Sequence, residues 1–197
     1  MISCILLSAG LSSRFGSPKA LAKFDNETVI EHLLHTLLSV KSITEIIVVL
    51  GADAQRIKTV LLEHKKVKVV YNKDYNLGQT SSFKAGLQNI SPEAQGIMLL
   101  PVDYPLIKKE TFETVTEAFI KNTPQILIPA FNGHKGHPPV FSSTLKEEFL
   151  KLADAQGLNT IAQHLPPEDI LLLPVPDQRI VRSFNTAEEW EKLSKLL

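Results

Sequence analysis

The chain is poor in cysteine, in long apolar runs and in net charge, and each shortage excludes something. One cysteine, Cys4, in 197 residues rules out an internal disulfide framework. It sits inside an apolar run, where a thiol acts as a small core hydrophobe, and a reducing, cytoplasmic setting is the expectation. No apolar run approaches the ~20 residues of a membrane span. The start of the chain lacks the basic residues and the cleavage site of a secretory leader, so no membrane association is expected. Lys plus Arg and Asp plus Glu number 21 each, a formal net charge of zero. That argues against a general nucleic-acid or membrane-surface binder, while leaving room for local positive charge. The six histidines show no H-E-x-x-H and no Cys/His spacing, so no zinc site is expected. His32 and His35 are expected on an exposed helix face.

What is present suits one α/β domain. Apolar residues make up 44% of the chain, enough for a single sizeable core. Strand-like and helix-like segments alternate. Ile2–Leu7, Glu45–Leu50, Val67–Tyr71, Gly96–Pro101 and Ile126–Pro129 read as strands, Glu45–Leu50 and Gly96–Pro101 as buried ones. Val29–Leu38 (capped by Thr28), Asp53–Leu62, Gln79–Asn89 and Lys109–Ile120 read as helices. The pattern changes after that. A Gly/His/Pro loop, Asn132–Pro139, precedes short helices at Thr144–Leu152 and Asn159–His164, strand-like Ile170–Leu173 and Ile180–Phe184, and a last helix, Ala187–Leu197. Crossovers of this kind imply a mainly parallel sheet between two helical layers, a Rossmann-like three-layer α/β/α architecture. One domain over 1–197 is expected, with an insertion at about 132–170.

In such sheets ligands bind beyond the C-terminal strand ends. After the first strand comes S-A-G-L-S-S-R-F-G-S-P-K, a polar loop of short side chains carrying Arg14 and Lys19. Backbone N–H groups can approach a ligand there, and two cations can face one anion, as a polyphosphate requires. It is not a phosphate-binding P-loop: five residues separate Gly10 from Gly16, Lys19 follows three later, and Ala20 stands where the hydroxyl belongs. Nor is it a dinucleotide loop, since Ser12 occupies the second glycine position. An ordinary polar turn with two solvated cations is the alternative. After the third strand come Asn72 to Ser82, with Gly78 and the hydroxyls of Ser81 and Ser82 at a helix start; these suit a base edge, a phosphate or plain N-capping. The fourth strand leads to Val102-Asp103-Tyr104-Pro105. A carboxylate at a buried strand end needs a cation or a capping role, and Mg²⁺ takes one or two such oxygens beside water and phosphate.

These motifs together resemble the nucleotidyltransferase family, specifically its molybdopterin-cytidylyltransferase-like group. Leu7, Ala9, Gly10, Ser12, Arg14, Phe15, Gly16 and Lys19 match the signature L-A-A-G-x-S-x-R-M/F-G-x-x-K at eight typed positions, with Ser8 for one alanine. Asp103 resembles the family's D-x-P metal site. Ser183-Phe184-Asn185-Thr186-Ala187-Glu188-Glu189 resembles its closing D-x-D/N-T-P-E-D, with Ser183 and Ala187 as departures. Asn72–Ser82 resembles N-x-x-W-x-x-G-M-x-x-S, and Gly133–Pro139 the G-x-x-G-H-P loop of that branch.

The resemblance implies transfer of a nucleoside monophosphate from an NTP to a phosphate-bearing acceptor, with release of pyrophosphate. Arg14, Lys19 and Asp103 are the implied catalytic residues, and Asp103 and Asn185 the Mg²⁺ ligands. Leu7, Ala9, Gly10, Ser12, Arg14, Lys19, Asn72, Gly78, Ser81 and Ser82 would bind the nucleotide; Gly136, His137 and Pro138 would bind the acceptor, unless that loop is simply solvated. Ala9 points to CTP, and the acceptor implied is molybdopterin or molybdenum cofactor, with a molybdoenzyme as a further partner. One expected piece differs: a G-D-x-G-x-R element reads Asp154-Ala155-Gln156-Gly157-Leu158-Asn159, without the arginine. Asn185 and that difference keep a sugar-1-phosphate or other small-phosphate transferase open, and a non-catalytic nucleotide-binding regulator is the reading from another class.

Overall fold

The structure is a computed structural model describing residues 1–195. β1 (Ile2–Ser8) is followed by a loop, the short antiparallel pair β2 (Lys23–Phe24) and β3 (Glu27–Thr28), and α1 (Val29–Ser39). Then come β4 (Ile43–Leu50), α2 (Ala54–Lys58), β5 (Val67–Tyr71), α3 (Gln79–Leu87), β6 (Gly96–Pro101) and α4 (Lys109–Asn122). The remainder is β7 (Ile126–Phe131), β8 (His134–Lys135), β9 (Val140–Ser142), α5 (Lys146–Lys151), α6 (Thr160–Gln163), β10 (Ile170–Pro174) and α7 (Ala187–Ser194).

Apart from the β2–β3 pair, the strands form one sheet in the order β10-β7-β9-β6-β1-β4-β5, with β8 hairpinned onto β7. Pairs β1–β4, β1–β6, β4–β5 and β7–β10 are parallel, and only β8 and β9 run against the rest. The central strands are largely apolar because both faces are covered, and the buried Glu45 of β4 accepts from the Ser3 hydroxyl of β1. In β1, Cys4 and Leu6 face one core with α1 and α4, while Ile5 and Leu7 face the other with α3 and α5. In β4, Ile46, Val48 and Leu50 face the first and Ile47 and Val49 the second. The period-two alternation of an apparently uniform run thus separates two cores and builds the three layers. Cys4 is fully buried, and burial pushes its thiol pKa far up, so it is an inert packing residue.

Local rules set the helix starts. Thr28 and Glu31 form a reciprocal capping box at α1, and Thr186 and Glu189 another at α7, each cap typically contributing about 1 kcal/mol. Several expectations shift. α2 ends at Lys58 rather than Leu62: Val60 and Leu61 donate to the carbonyls of Ile57 and Lys58 three residues back, a tighter turn, and still pack with Leu62 against the core. Ile180–Phe184 is not a strand: Gln178–Val181 is a 3-10 turn begun by Asp177, whose buried carboxylate accepts from the Arg179 and Lys108 backbone N–H groups and the Thr111 hydroxyl. β9 was not expected. Its three residues fill the gap between β6 and β7, pairing antiparallel with both. His35 is exposed on α1 as expected, but His32 is half-buried against Phe24, and the two rings share the Glu27 carboxylate. Of the last expected helix, Leu196 and Leu197 lie outside the described residues.

β1 connects toward β4 and β5 on one side, and the chain returns to β6 on the other. The order reverses between β1 and β6, so a crevice must open beyond their C-terminal ends.

Candidate functional site

That crevice is present as a cleft of about 330 Å³. The loop after β1 forms its floor, the turn after β6 one wall and the start of α3 another. The sequence shapes the loop directly. Ser12 adopts a left-handed φ of 50°, and its carbonyl accepts from the backbone N–H groups of Phe15 and Gly16 at 2.9 and 3.1 Å. A side chain at Gly10 would meet nothing within 4 Å, so the bare backbone there faces open space. The Ser12 hydroxyl accepts from the Lys19 backbone N–H at 3.3 Å, closing the loop. Phe15 packs edge-on against Phe184, ring centroids 5.3 Å apart. Phe184 in turn donates its N–H to the Asp103 carbonyl at 3.3 Å. Two aromatic rings and one hydrogen bond therefore join the start, middle and end of the chain.

Four polar side chains converge as a result. The Lys19 ammonium donates to Asp103 Oδ2 at 3.0 Å and to Asn185 Oδ1 at 2.9 Å. It also lies 5.5 Å from the centre of the Phe184 ring. The Arg14 guanidinium donates to the same Asn185 Oδ1 at 3.0 Å. Asp103 Oδ1 is buried with no hydrogen-bond partner among the described residues. Asn185 is free for this because Thr186, not Asn185, caps α7, while the Asn185 backbone N–H donates to Glu189. Among the described residues no cluster of three His, Cys, Asp or Glu side chains forms a metal site. Asp103 and Asn185 nevertheless offer hard oxygens beside one unsatisfied carboxylate oxygen, which fits a Mg²⁺ ion completing its shell with water and phosphate.

Leu7, Ala9, Gly10, Ser12, Arg14, Lys19, Gly78, Ser82, Asp103 and Asn185 all line the cleft. Gly78 has φ 111° and ψ −169°, a backbone state essentially confined to glycine, and it ends the turn that brings α3 to the wall. Asn72 and Ser81 are not among the lining residues. The Asn72 amide donates to the Ser81 and Ser82 hydroxyls at 2.9 and 3.0 Å, and the Ser81 hydroxyl donates to the Asp74 carbonyl at 2.8 Å. These groups hold the wall from behind. Gly136, His137 and Pro138 also stand outside the cleft. The His137 ring lies on Tyr104 with centroids 4.3 Å apart, next to Asp103 in sequence, and its Nδ1 is buried without a partner. Burial pushes the His137 pKa down, and the Asp103 charge opposes that shift. Ile57 also lines the cleft and went unnoticed in the sequence. It sits on α2, which follows β4, and is that helix's buried residue.

Gly136 has a structural role. A β-carbon there would come within 2.6 Å of the Ile180 carbonyl oxygen, and His137 donates its N–H to that same oxygen at 2.8 Å. Backbone cannot yield as a flexible side chain can. Gly136→Ala is therefore expected to cost about 1–3 kcal/mol of stability by overpacking, read as a lowered melting temperature. An unchanged melting temperature would show that the loop relaxes freely.

The profile of the MobA-like NTP transferase domain matches residues 4–169. A protein of Bacillus anthracis named "Probable molybdenum cofactor guanylyltransferase" is 30% identical over 131 residues, 66% of this chain and 62% of that protein. The chain therefore matches less than two thirds of that relative's length. A Bacillus cereus protein of the same name is 31% identical over 141 residues, 71% of this chain and 66% of the relative. Among solved structures, Rv0371c of Mycobacterium tuberculosis superposes with a TM-score of 0.83 at 24% identity, covering 98% of each chain. The molybdopterin-guanine dinucleotide biosynthesis protein A of Archaeoglobus fulgidus gives 0.70 at 16%, covering 98% of this chain and 97% of that one. The structural likenesses carry the fold, a mostly parallel sheet between helical layers, and the profile carries the family: this chain belongs to the MobA-like NTP transferase domain family.

Proposed function

We propose that the chain is a nucleotidyltransferase moving a nucleoside monophosphate from an NTP to a phosphate-bearing acceptor. The observation that carries this reading is the convergence of Arg14, Lys19, Asp103 and Asn185 at the crevice between β1 and β6. An oxygen of the acceptor's phosphate attacks the α-phosphorus, the bond to the bridging oxygen breaks, and pyrophosphate leaves. An ionised phosphate needs no strong general base, so positioning and charge neutralisation supply the rate. Arg14 and Lys19 bind the triphosphate and stabilise charge on the departing pyrophosphate. The backbone around Gly10 approaches the phosphates, and Ser82 with Gly78 borders the nucleoside. Asp103 and Asn185 would hold Mg²⁺, which supplies positive charge to the triphosphate when bound. His137, packed on Tyr104 beside Asp103, would meet the acceptor together with Gly136 and Pro138, and the segment at about 132–170 would form the acceptor side.

Ala9 favours CTP as the donor. The similarity to proteins named as guanylyltransferases favours GTP, and it supports a molybdopterin-type acceptor. A molybdoenzyme recipient and a cytoplasmic setting belong to the same reading; among the described residues no helix is long and apolar enough to cross a membrane. Pyrophosphate release is measured with each of the four NTPs and Mg²⁺, with and without a molybdopterin-type acceptor, alongside calorimetric titration of CTP and GTP. Acceptor-dependent release with CTP, and tighter CTP binding, are expected. A clear GTP preference would replace the CTP assignment. Nucleotide binding without turnover on any phosphate acceptor, sugar 1-phosphates included, would favour a regulator.

A further inference from the structure

Resting on the reading of Asp103 and Asn185 as the metal-binding pair, we infer that Lys19 occupies that pair as a stand-in cation in the ligand-free chain. A divalent ion then enters only as the nucleotide draws Lys19 away. The seat is well defined. Lys19 donates to Asp103 Oδ2 and to Asn185 Oδ1, its ammonium lies over the Phe184 ring, and its side chain is only 13% exposed. Asn185 Oδ1 is doubly engaged because Arg14 donates to it as well. Both oxygens that a metal would share between these residues are thus already taken by cations. The remaining oxygen, Asp103 Oδ1, is buried and unpartnered. A divalent ion on it alone would sit beside an ammonium held on the same carboxylate, and like charges at that range oppose each other.

A triphosphate changes the balance, since it offers Lys19 several negative charges within the same cleft. Lysine suits such an exchange, with a compact charge on a flexible four-carbon stem. Moving the ammonium from carboxylate to phosphate frees Asp103 and Asn185. Nucleotide and metal then favour each other beyond their direct chelation, by reciprocity of linked binding. The ligand-free chain gains in turn: its lone cleft carboxylate is neutralised without a metal, so the site stays assembled but resists stray divalent ions.

The test uses Mn²⁺ alone, with no nucleotide present, free ion being read by electron paramagnetic resonance. The chains compared are wild type, Lys19→Met, and Lys19→Met combined with Asp103→Asn. Methionine keeps an apolar stem over Phe184 and removes the charge. Lys19→Met is expected to bind Mn²⁺ at least about tenfold more tightly than wild type, and the double variant to lose that gain. Should Lys19→Met fail to fold by its melting curve, Lys19→Gln carries the same expectation. Equal or weaker Mn²⁺ binding by the folded variant overturns the inference. So does a gain that survives Asp103→Asn, because it would lie elsewhere. These outcomes are independent of turnover: a chain releasing no pyrophosphate would refute the catalytic reading, and the Mn²⁺ comparison would still decide the role of Lys19.

Discussion

Asp103→Asn is expected to lower pyrophosphate release by about a thousandfold, roughly 4 kcal/mol of transition-state stabilisation. Asp103 is the only carboxylate among the residues lining the cleft. Its amide isostere keeps the volume and an accepting oxygen but removes the charge that would hold a divalent ion. Fold integrity is expected to survive. The side chain is 22% exposed, beyond the end of β6 and outside both apolar cores. The contact that ties this turn to Phe184 uses the Asp103 backbone carbonyl, which the substitution retains. Melting temperature and pyrophosphate release are measured on the same preparation. Unchanged release would remove Asp103 from the site, and a collapse in melting temperature would make it a residue of the fold.

Arg14→Lys and Lys19→Ala are each expected to weaken NTP binding by roughly ten- to a hundredfold. Charge-assisted contacts to phosphate are worth about 1.5–3 kcal/mol apiece. Turnover should fall further than binding wherever the contact strengthens as charge develops on the pyrophosphate. Arg14 is exposed, and among the described residues Asn185 is its one side-chain hydrogen-bond partner, so its replacement should leave the melting temperature near wild type. Lysine replaces it poorly, since only the guanidinium presents a planar fork to phosphate. Lys19→Ala also uncovers Asp103, so somewhat greater thermal loss is expected there than at Arg14. Calorimetry, melting curves and pyrophosphate release together separate these effects. A variant that melts several degrees lower yet keeps wild-type affinity would show a structural residue.

Most of the central architecture is readable from the sequence for a simple reason. Strands buried on both faces must be apolar along their whole length, and helices with one buried face must repeat at about 3.6 residues. β1, β4, β6 and α4 follow one rule or the other closely, so their places are local properties of the chain, while β5, at the sheet edge with Lys68 and Tyr71 exposed, shows only as a short β-branched run. The loop after β1 is legible as well, because phosphate chemistry asks for short side chains and cations at close sequence spacing. Legibility fails where pairing or length depends on distant partners. β9 is three residues long and exists because β6 and β7 leave it a gap. Ile180–Phe184 looks like a strand, yet it is claimed by Asp177 and by Phe15, neither of which its own pattern announces.

The site divides along the same line. Sequence by itself determined which residue types stand at strand ends: Arg14 and Lys19 after the first strand, Asp103 after the fourth, Asn185 before the last helix. It could not tell which would meet. Lys19 and Asp103 are 84 positions apart, and Arg14 and Asn185 are 171 apart; only the reversal of strand order at β1 and β6 brings them within hydrogen-bonding distance. Nor could it separate Ser82, which borders the cleft, from Ser81 beside it, which holds the wall from behind. Adjacent residues at a helix start point in different directions, and the packing of α3 against the sheet decides which of them faces the ligand.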